Sequence, residues 1–223
     1  MKSNLVIKNI VGTLFFFGII FVSAGRLDYW QGWVYVVIGL IMILLNYTIL
    51  RINPELMKER SKPGENTKKW DKLILGLSLI MTIIMYIVAG LDSGRYHWSI
   101  DFNWSLYLIG IILTISGQLL FLIAQKQNKF FSSTVRIQKE RSHTVCQNGL
   151  YKFVRHPAYM GSIIQLIGFP LLFGSLWSII PISISIIITI IRTYLEDKTL
   201  REELNGYIEY SGKTRFRLFP YIW

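Results

Sequence analysis

Two short segments of the chain combine charged, aromatic and proline residues in patterns that could bind a small polar ligand. The first reads "GLYKFVRHPAYMG" and places Arg155 and His156 directly before Pro157. Proline at the first position of a helix leaves the N–H groups of the first turn free, and together with Arg155 they favour an anionic or electron-rich group. Tyr151 and Tyr159 offer aromatic faces to a purine. For His156 alone, a structural hydrogen bond at the helix start is the simpler interpretation.

The second segment reads "IRTYLEDKTLREELNGYIEYSGKTRFRLFPYIW" and begins where the last apolar stretch ends. Arg192 and Glu196 are four residues apart, so on a helix they share a face. Glu196 and Asp197 are adjacent carboxylates where the chain leaves the lipid, a depth at which ionisable groups are costly and suggest function. A surface ion pair on a solvated helix explains the same spacing equally well.

The elements that must position these segments are apolar. The chain of 223 residues is 52% hydrophobic, and a helix of about twenty apolar residues matches the thickness of a bilayer. We therefore expect an all-α, polytopic integral membrane protein with about six transmembrane helices. Four single spans and one interrupted pair account for them, at about 5–24, 33–50, 73–90, 105–124 and 160–191. The first span, which ends in Val22-Ser23-Ala24, also resembles a cleavable signal peptide, and we expect it to be retained.

The last apolar stretch is interrupted by glycine and proline. Gly168, Pro170, Gly174 and Pro181 divide it into two short helices, which favours a helix–turn–helix hairpin. A hairpin returns the chain to the membrane face that it left, so the two polar segments can meet there. This topology predicts a helical scaffold over 1–124 and a ligand-binding region over 125–223, folded as one integrated domain.

Basic residues predict the orientation. Of the 24 lysines and arginines, 22 lie near the two ends of the chain or in the loops 51–72 and 125–161, and only Arg26 and Arg95 lie in the two remaining loops. By the positive-inside rule, we expect both termini, the two long loops and the catalytic face in the cytoplasm. The spread of basic residues over separate membrane-edge loops argues against a nucleic-acid partner.

Several kinds of site are absent from the sequence. The single cysteine, Cys146, excludes an internal disulfide and a multi-cysteine metal site. The three histidines show neither H-x-x-x-H nor H-E-x-x-H spacing, so we expect no metal. No G-x-G is present, and the usual dinucleotide-binding turn of soluble enzymes is therefore missing.

One family combines these features. The run "SHTVCQNGLYKFVRHPAYMG", followed by R-x-x-x-E-D and then "GYIEYSGKTRFRLFP", resembles the isoprenylcysteine carboxyl methyltransferase family and the related phospholipid N-methyltransferases. The resemblance covers about 131–223, and the upstream "NPELMKERSKPGENTKKWDK" is similar to bacterial members. It implies an S-adenosylmethionine-dependent methyltransferase of the cell (inner) membrane. Its acceptor would be lipophilic or lipid-anchored, either the carboxylate of a prenylcysteine-like molecule or the amine of a lipid.

The resemblance also implies roles for individual residues. Glu196 would hold the α-ammonium group of the cofactor, and Arg192 would be the catalytic residue that faces the reacting end of the acceptor. Gln138 corresponds to a cofactor-contacting glutamine if the loop carries a small gap. Asp197 stands where many relatives have a second glutamate. The remaining cofactor-binding residues would be His143, Thr144, Val145 and Cys146, largely through their backbone, and Tyr151, His156, Pro157, Ala158 and Tyr159 around the adenosyl group.

The expected chemistry needs few special groups. Methyl transfer from a sulfonium is an in-line displacement, so positioning and desolvation supply most of the catalysis. A carboxylate nucleophile needs no general base, and an amine needs only to be unprotonated. The absence of a Ser-His-Asp set is therefore expected.

Two alternatives come from other classes of protein. A membrane reductase of the sterol reductase type carries R-H-x-x-Y-x-G and a "PYI" ending, and it would bind NADPH. Pro157 and the Glu196–Asp197 pair favour the methyltransferase. A small transporter or scaffold would show inverted repeats or charges in mid-membrane, and the sequence shows neither. The oligomeric state is not indicated.

Overall fold

The computed structural model of the chain describes residues 2–48, 59–60 and 67–223. This part is helical and contains no strand. The helices, numbered in chain order, are α1 (Lys2–Ala24), α2 (Trp30–Thr48), α3 (Lys69–Ala89), α4 (Trp104–Gln127), α5 (Pro157–Phe173), α6 (Ile179–Glu203) and α7 (Tyr207–Lys213). A π-helical segment, Gly90–Tyr96, extends α3, and two 3-10 turns, Lys139–Arg141 and Gly149–Lys152, lie between α4 and α5.

The all-α fold expected from the sequence is confirmed. Three helices in the described part of the chain are long and apolar enough to cross a membrane, namely Lys69–Tyr96, Trp104–Gln127 and Ile179–Glu203. Three shorter apolar helices accompany them, namely Leu14–Ala24, Trp30–Asn46 and Pro157–Phe173. The number of spans that length and composition support is therefore three among the described residues, against about six expected from hydropathy.

The hairpin predicted over 160–191 is present as α5 and α6. Helix α5 ends at Gly174, whose φ of 63° is the left-handed conformation that glycine adopts without steric cost. The N–H of Ser175 then donates to the carbonyl of Pro170 at 3.0 Å. Pro170 lies inside α5 and Pro181 lies in the first turn of α6. The turn is therefore made by Gly174, and both prolines are accommodated within helices.

Helix α5 packs against α4 through glycines. A Cβ on Gly161 would lie 2.6 Å from the carbonyl oxygen of Gly117, and one on Gly168 would lie 2.8 Å from that of Gly110. Each helix carries its two glycines seven residues apart, so both contacts lie on one face. Small residues allow helix backbones to approach closely in a membrane. This contact fixes α5, and with it the residues at its start, against α4.

Polar contacts mark the two ends of the helical bundle. At one end, the buried carboxylate of Asp92 accepts hydrogen bonds from the hydroxyls of Ser99 and Ser175, both at 2.6 Å, which joins the loop after α3 to the α5–α6 turn. At the other end, Arg192 of α6 pairs with Asp71 of α3 at 2.8 Å. The polar segments on either side of the hairpin gather at this second end, as the topology predicts.

Candidate active site

A cavity of about 360 Å³ opens at the end of the bundle where the polar segments meet. Its volume lies within the range of about 300–1,000 Å³ that is usual for small-molecule sites. Helices α4 and α6, the start of α5 and the loop between α4 and α5 all contribute to its wall. The predicted site residues that line it are His143, Val145, Cys146, Tyr151, His156, Ala158, Tyr159, Arg192 and Glu196.

Three predicted residues do not line this cavity. Gln138 is fully buried, and its amide nitrogen donates to the carbonyl of Phe130 at 2.7 Å while its amide oxygen accepts from Arg141 at 2.6 Å. The side chain is therefore used within the loop. Thr144 is exposed, and Pro157 is buried at the first position of α5. Ligand contact by these three residues stays a prediction.

Glu196 presents a carboxylate to the cavity from α6. The hydroxyl of Tyr159 donates to it at 2.5 Å, and Nδ1 of His156 lies 4.0 Å from its other oxygen. The rings of His156 and Tyr159 stack with their centroids 5.9 Å apart. The side chain of Glu196 is 23% exposed. A carboxylate that is open to the cavity and not paired with an arginine can accept a cationic ligand group.

Asp197 does not line the cavity and is almost fully buried. Arg155 binds it through two hydrogen bonds, at 2.7 and 3.2 Å. Arg201 and Arg217 contact one of its oxygens at 3.2 and 3.0 Å, and the hydroxyl of Tyr207 donates to the other at 2.9 Å. Charge-assisted hydrogen bonds of this kind are strong. Asp197 therefore joins the start of α5 to α6 and to the C-terminal segment.

Backbone contacts reinforce this junction. The N–H groups of Arg155 and His156 donate to two consecutive carbonyls that begin at Phe216, both at 2.9 Å. The hydroxyl of Tyr210 donates to the carbonyl of Tyr151 at 2.7 Å. Burial raises the pKa of Tyr151, so its ring is a neutral, fixed part of the wall at physiological pH. The C-terminal segment thus positions the residues of the first polar segment.

Arg192 lies one helical turn before Glu196. Its guanidinium pairs with Asp71, whose side chain is fully buried at the start of α3. Its Cζ lies 5.4 Å from the centroid of the Tyr159 ring. Sequence reasoning missed Asp71, although an acidic residue in the first turn of an apolar helix was a visible signal. Asp71 both neutralises the guanidinium and fixes its direction.

His143 contributes an uncharged ring to the wall. Burial, followed by the charges of Arg136 and Arg141, lowers its pKa to about 4. Its Nδ1 accepts from the N–H of Gln138 at 3.3 Å, and its ring centroid lies 4.5 Å from that of Phe130. Because the acceptor nitrogen must stay unprotonated, the loop conformation depends on neutral His143.

Neither a metal cluster nor a reactive thiol is found in the described part of the site. Among the residues that the structure describes, no group of three His, Cys, Asp or Glu side chains could hold a metal ion. The thiol of Cys146 donates to the carbonyl of Gln127 at 3.5 Å, and burial raises its pKa. A thiol with a raised pKa is a poor nucleophile. The wall instead offers a carboxylate, guanidinium groups and aromatic rings.

A second cavity, of about 380 Å³, lies deeper among the apolar parts of α1 to α5. Phe121 lines both cavities. Tyr35 and Tyr86 line the second one, with their hydroxyls 2.9 Å apart. The side-chain oxygens of Asn46 and Gln118 are buried in its wall, and no hydrogen-bond partner for them is found among the described residues. The cavity with charged side chains in its wall thus shares a residue with a second cavity in which the described wall residues are uncharged.

Comparison with known proteins relates this arrangement to one family. Residues 107–202 match the model of the isoprenylcysteine carboxyl methyltransferase (ICMT) family. Protein-S-isoprenylcysteine O-methyltransferase of Saccharomyces cerevisiae is 33% identical over 114 residues, which are 48% of this chain and 46% of the yeast protein. Protein-S-isoprenylcysteine O-methyltransferase B of Arabidopsis thaliana is 24% identical over 95 residues, 41% and 45% of the two chains.

A third relative matches the chain with similar identity and over a similar length. The probable protein-S-isoprenylcysteine O-methyltransferase of Oryza sativa subsp. japonica is 24% identical over 97 residues, 43% of this chain and 51% of the rice protein. The chain thus spans about half the length of the curated relatives that it matches. The range matched to the family contains every site residue predicted from the sequence.

Proposed function

We propose that the chain, whose residues 107–202 match the model of the isoprenylcysteine carboxyl methyltransferase family, is an integral-membrane methyltransferase. It would transfer the methyl group of S-adenosylmethionine to the carboxylate of a lipophilic, prenylcysteine-like acceptor. The observation that carries the proposal is that Tyr151 and Glu196, from polar segments on opposite sides of the hairpin, line one cavity.

The cavity suits the functional groups of this cofactor. Glu196 would receive the α-ammonium group, because its carboxylate is open to the cavity and, among the described residues, no arginine forms an ion pair with it. Neutral aromatic rings would flank the purine. The wall residues proposed to bind the adenosyl part are His143, Val145, Cys146, Tyr151, His156, Ala158 and Tyr159. Contact through Gln138, Thr144 and Pro157 stays a prediction, and in this geometry they would act by positioning the loop and α5.

The proposed mechanism depends on how the side chains position the acceptor relative to the methyl donor. S-adenosylmethionine supplies an electrophilic methyl group when it is bound. Arg192 would orient the acceptor carboxylate for in-line attack, and Asp71 holds the guanidinium in place at 2.8 Å. A carboxylate carries no proton to remove, so the side chains need only to bind, to orient and to exclude water.

Two features favour a carboxylate acceptor over an amine. A guanidinium forms strong, charge-assisted hydrogen bonds with a carboxylate, so Arg192 offers such an acceptor a direct partner, whereas a neutral amine gains no comparable interaction. The relatives reported above are named for methylation of isoprenylcysteine. The second cavity, which shares Phe121 with the wall of the first, would take the apolar chain of such an acceptor.

The proposed placement in the membrane follows from charge and helix length. The three shorter apolar helices would complete six spans together with the three long ones. The cavity lies at the end of the bundle that carries the basic loops, so it would face the cytoplasm, with both termini on the same side. The cell membrane as the location, and the division into a scaffold over 1–124 and a cofactor region over 125–223, stay predictions.

Ligand binding tests the cofactor directly. The relatives reported above are methyltransferases and give no support to the NADPH-dependent reductase. Calorimetry on the purified full chain in detergent should show binding of S-adenosylhomocysteine and no binding of NADPH. Binding of NADPH without a response to S-adenosylhomocysteine would contradict the proposal.

A further inference from the structure

The cavity wall contains four arginines, which differ in whether a carboxylate pairs with them. These are Arg60, Arg136, Arg155 and Arg192. Three of them are ion-paired, Arg136 with Glu59 and Glu140, Arg155 with Asp197, and Arg192 with Asp71. Within the part of the chain that the structure describes, no carboxylate lies at ion-pair distance from Arg60. Arg60 is therefore the one arginine of this wall whose charge the described residues do not compensate.

The guanidinium of Arg60 lies against two aromatic rings. Its Cζ lies 5.1 Å from the ring centroid of Phe131 and 5.8 Å from that of Phe121. A ring face attracts a cation without neutralising it. Burial lowers the pKa of the Arg60 guanidinium, and the charge of Arg192 lowers it further. The two guanidinium groups therefore repel each other in a cavity with limited access to water.

An uncompensated guanidinium in such a place is costly unless a ligand brings an anion. The planar donor pairs of a guanidinium match carboxylates and phosphates, and the two ligands of the proposed function carry a carboxylate and no phosphate. We propose that Arg60 binds a carboxylate that enters the cavity, and that Arg60 and Arg192 form a two-guanidinium carboxylate site in its wall. The inference rests on the proposed function, because both proposed ligands carry a carboxylate.

The two arginines would contribute differently to this site. The charge of Arg192 is already balanced by Asp71, so Arg192 mainly supplies direction. Arg60 supplies the uncompensated positive charge that attracts the anion. The carboxylate could belong to the amino-acid part of the cofactor or to the acceptor, and Phe121, which contacts Arg60, lines both cavities.

Matched ligand pairs distinguish these two sources. Calorimetry would compare the wild-type chain with Arg60→Gln, using S-adenosylhomocysteine and its decarboxylated analogue, and N-acetyl-S-farnesylcysteine and its carboxamide. If the cofactor supplies the carboxylate, Arg60→Gln weakens S-adenosylhomocysteine binding at least about tenfold and leaves the decarboxylated analogue unchanged. If the acceptor supplies it, the same loss occurs for N-acetyl-S-farnesylcysteine and is absent for its carboxamide.

A matched control and two negative results complete the test. Arg26→Gln makes the same substitution at the exposed Arg26–Asp28 pair, at the other end of the bundle, and should leave all four affinities unchanged. Equal affinities of wild-type and Arg60→Gln protein for all four ligands would overturn the inference. If Arg60→Gln does not fold, the wild-type protein suffices, because equal binding within both ligand pairs also overturns it.

Failure of the proposed function would give different binding results from failure of the inference about Arg60. Wild-type protein that binds neither S-adenosylhomocysteine nor its decarboxylated analogue would refute the cofactor. Wild-type protein that binds them, with no change in any ligand for Arg60→Gln, would refute the role of Arg60 alone.

Discussion

Glu196 and Asp197 are neighbours on α6, but their carboxylates make contacts on different sides of the cavity wall. Glu196 faces the cavity and accepts a hydrogen bond from Tyr159 at 2.5 Å. Asp197 is buried behind the wall and holds Arg155 at 2.7 Å. A binding group and a structural group are therefore adjacent in sequence, and isosteric amide substitutions can separate their effects.

Glu196→Gln and Asp197→Asn form a matched pair. Glu196→Gln removes the charge that would attract the α-ammonium group, so affinity for S-adenosylhomocysteine should fall at least about tenfold with little loss of stability. Asp197→Asn leaves Arg155 buried without a counter-charge, which should lower the free energy of unfolding by about 3–5 kcal/mol. Calorimetry and thermal unfolding in detergent measure the two effects.

The reverse pattern would contradict these assignments. A Glu196→Gln protein that binds the ligand normally would remove Glu196 from the site. An Asp197→Asn protein that unfolds like the wild type would show that the other contacts of Arg155 hold the junction without Asp197.

Substitutions of Arg192 and Asp71 should affect turnover and stability independently. Arg192→Ala should abolish methyl transfer and destabilise the fold because it leaves Asp71 buried and unpaired. It should spare binding of S-adenosylhomocysteine when the acceptor, and not the cofactor, supplies the carboxylate that Arg60 and Arg192 bind. Adding Asp71→Asn should restore much of the stability and none of the turnover. Radiolabelled methyl transfer and thermal unfolding of the single and double variants test this. Turnover in Arg192→Ala would show that Arg192 is not the catalytic residue.

His143 should make stability fall as the pH drops. Its pKa is about 4 in the folded chain and about 6.5 in an unfolded one, so between these values the unfolded state binds more protons. Stability therefore rises with pH across this window and is lost as the pH falls from about 6.5 towards 4. The unfolding temperatures of the wild type and His143→Gln should differ at neutral pH, and the difference should shrink as the pH falls to about 4. A constant difference across the window would contradict the assignment.

The contact between α4 and α5 should not tolerate a methyl group. A Cβ on Gly117 would lie 2.5 Å from the backbone nitrogen of Gln165, so Gly117→Ala should destabilise the protein by about 1–3 kcal/mol. Gly76 on α3 has no atom within 4 Å of the same position. Gly76→Ala is the control and should be neutral or stabilising, because alanine is the better helix former. Equal unfolding temperatures for the two variants would refute close packing at Gly117.

Features that depend on local signals were predictable from the sequence. The turn at Gly174 and the start of α5 at Pro157 follow from the backbone preferences of single residues. The spacing of Arg192 and Glu196 predicted their common face, and the structure places both in the cavity wall.

Features that depend on tertiary contacts were not predictable from the sequence. The loop uses the amide of Gln138 for its own hydrogen bonds, and the direction of Asp197 is set by Arg155 from another segment. Asp71, at the start of α3, and Arg60, between α2 and α3, reach the site from segments whose relative position no periodicity in the sequence specifies. The sequence therefore predicted which segments meet but not how their polar groups would be paired.

Methyl transfer tests the central claim most directly. Purified protein would be incubated with methyl-labelled S-adenosylmethionine and N-acetyl-S-farnesylcysteine, and the lipophilic product would be treated with base. A carboxyl methyl ester releases its label as methanol, whereas an N-methyl group is stable. We predict base-labile product with the wild type and none with Arg192→Ala. Absence of labelled product from N-acetyl-S-farnesylcysteine, together with base-stable label on lipid amines, would contradict the account.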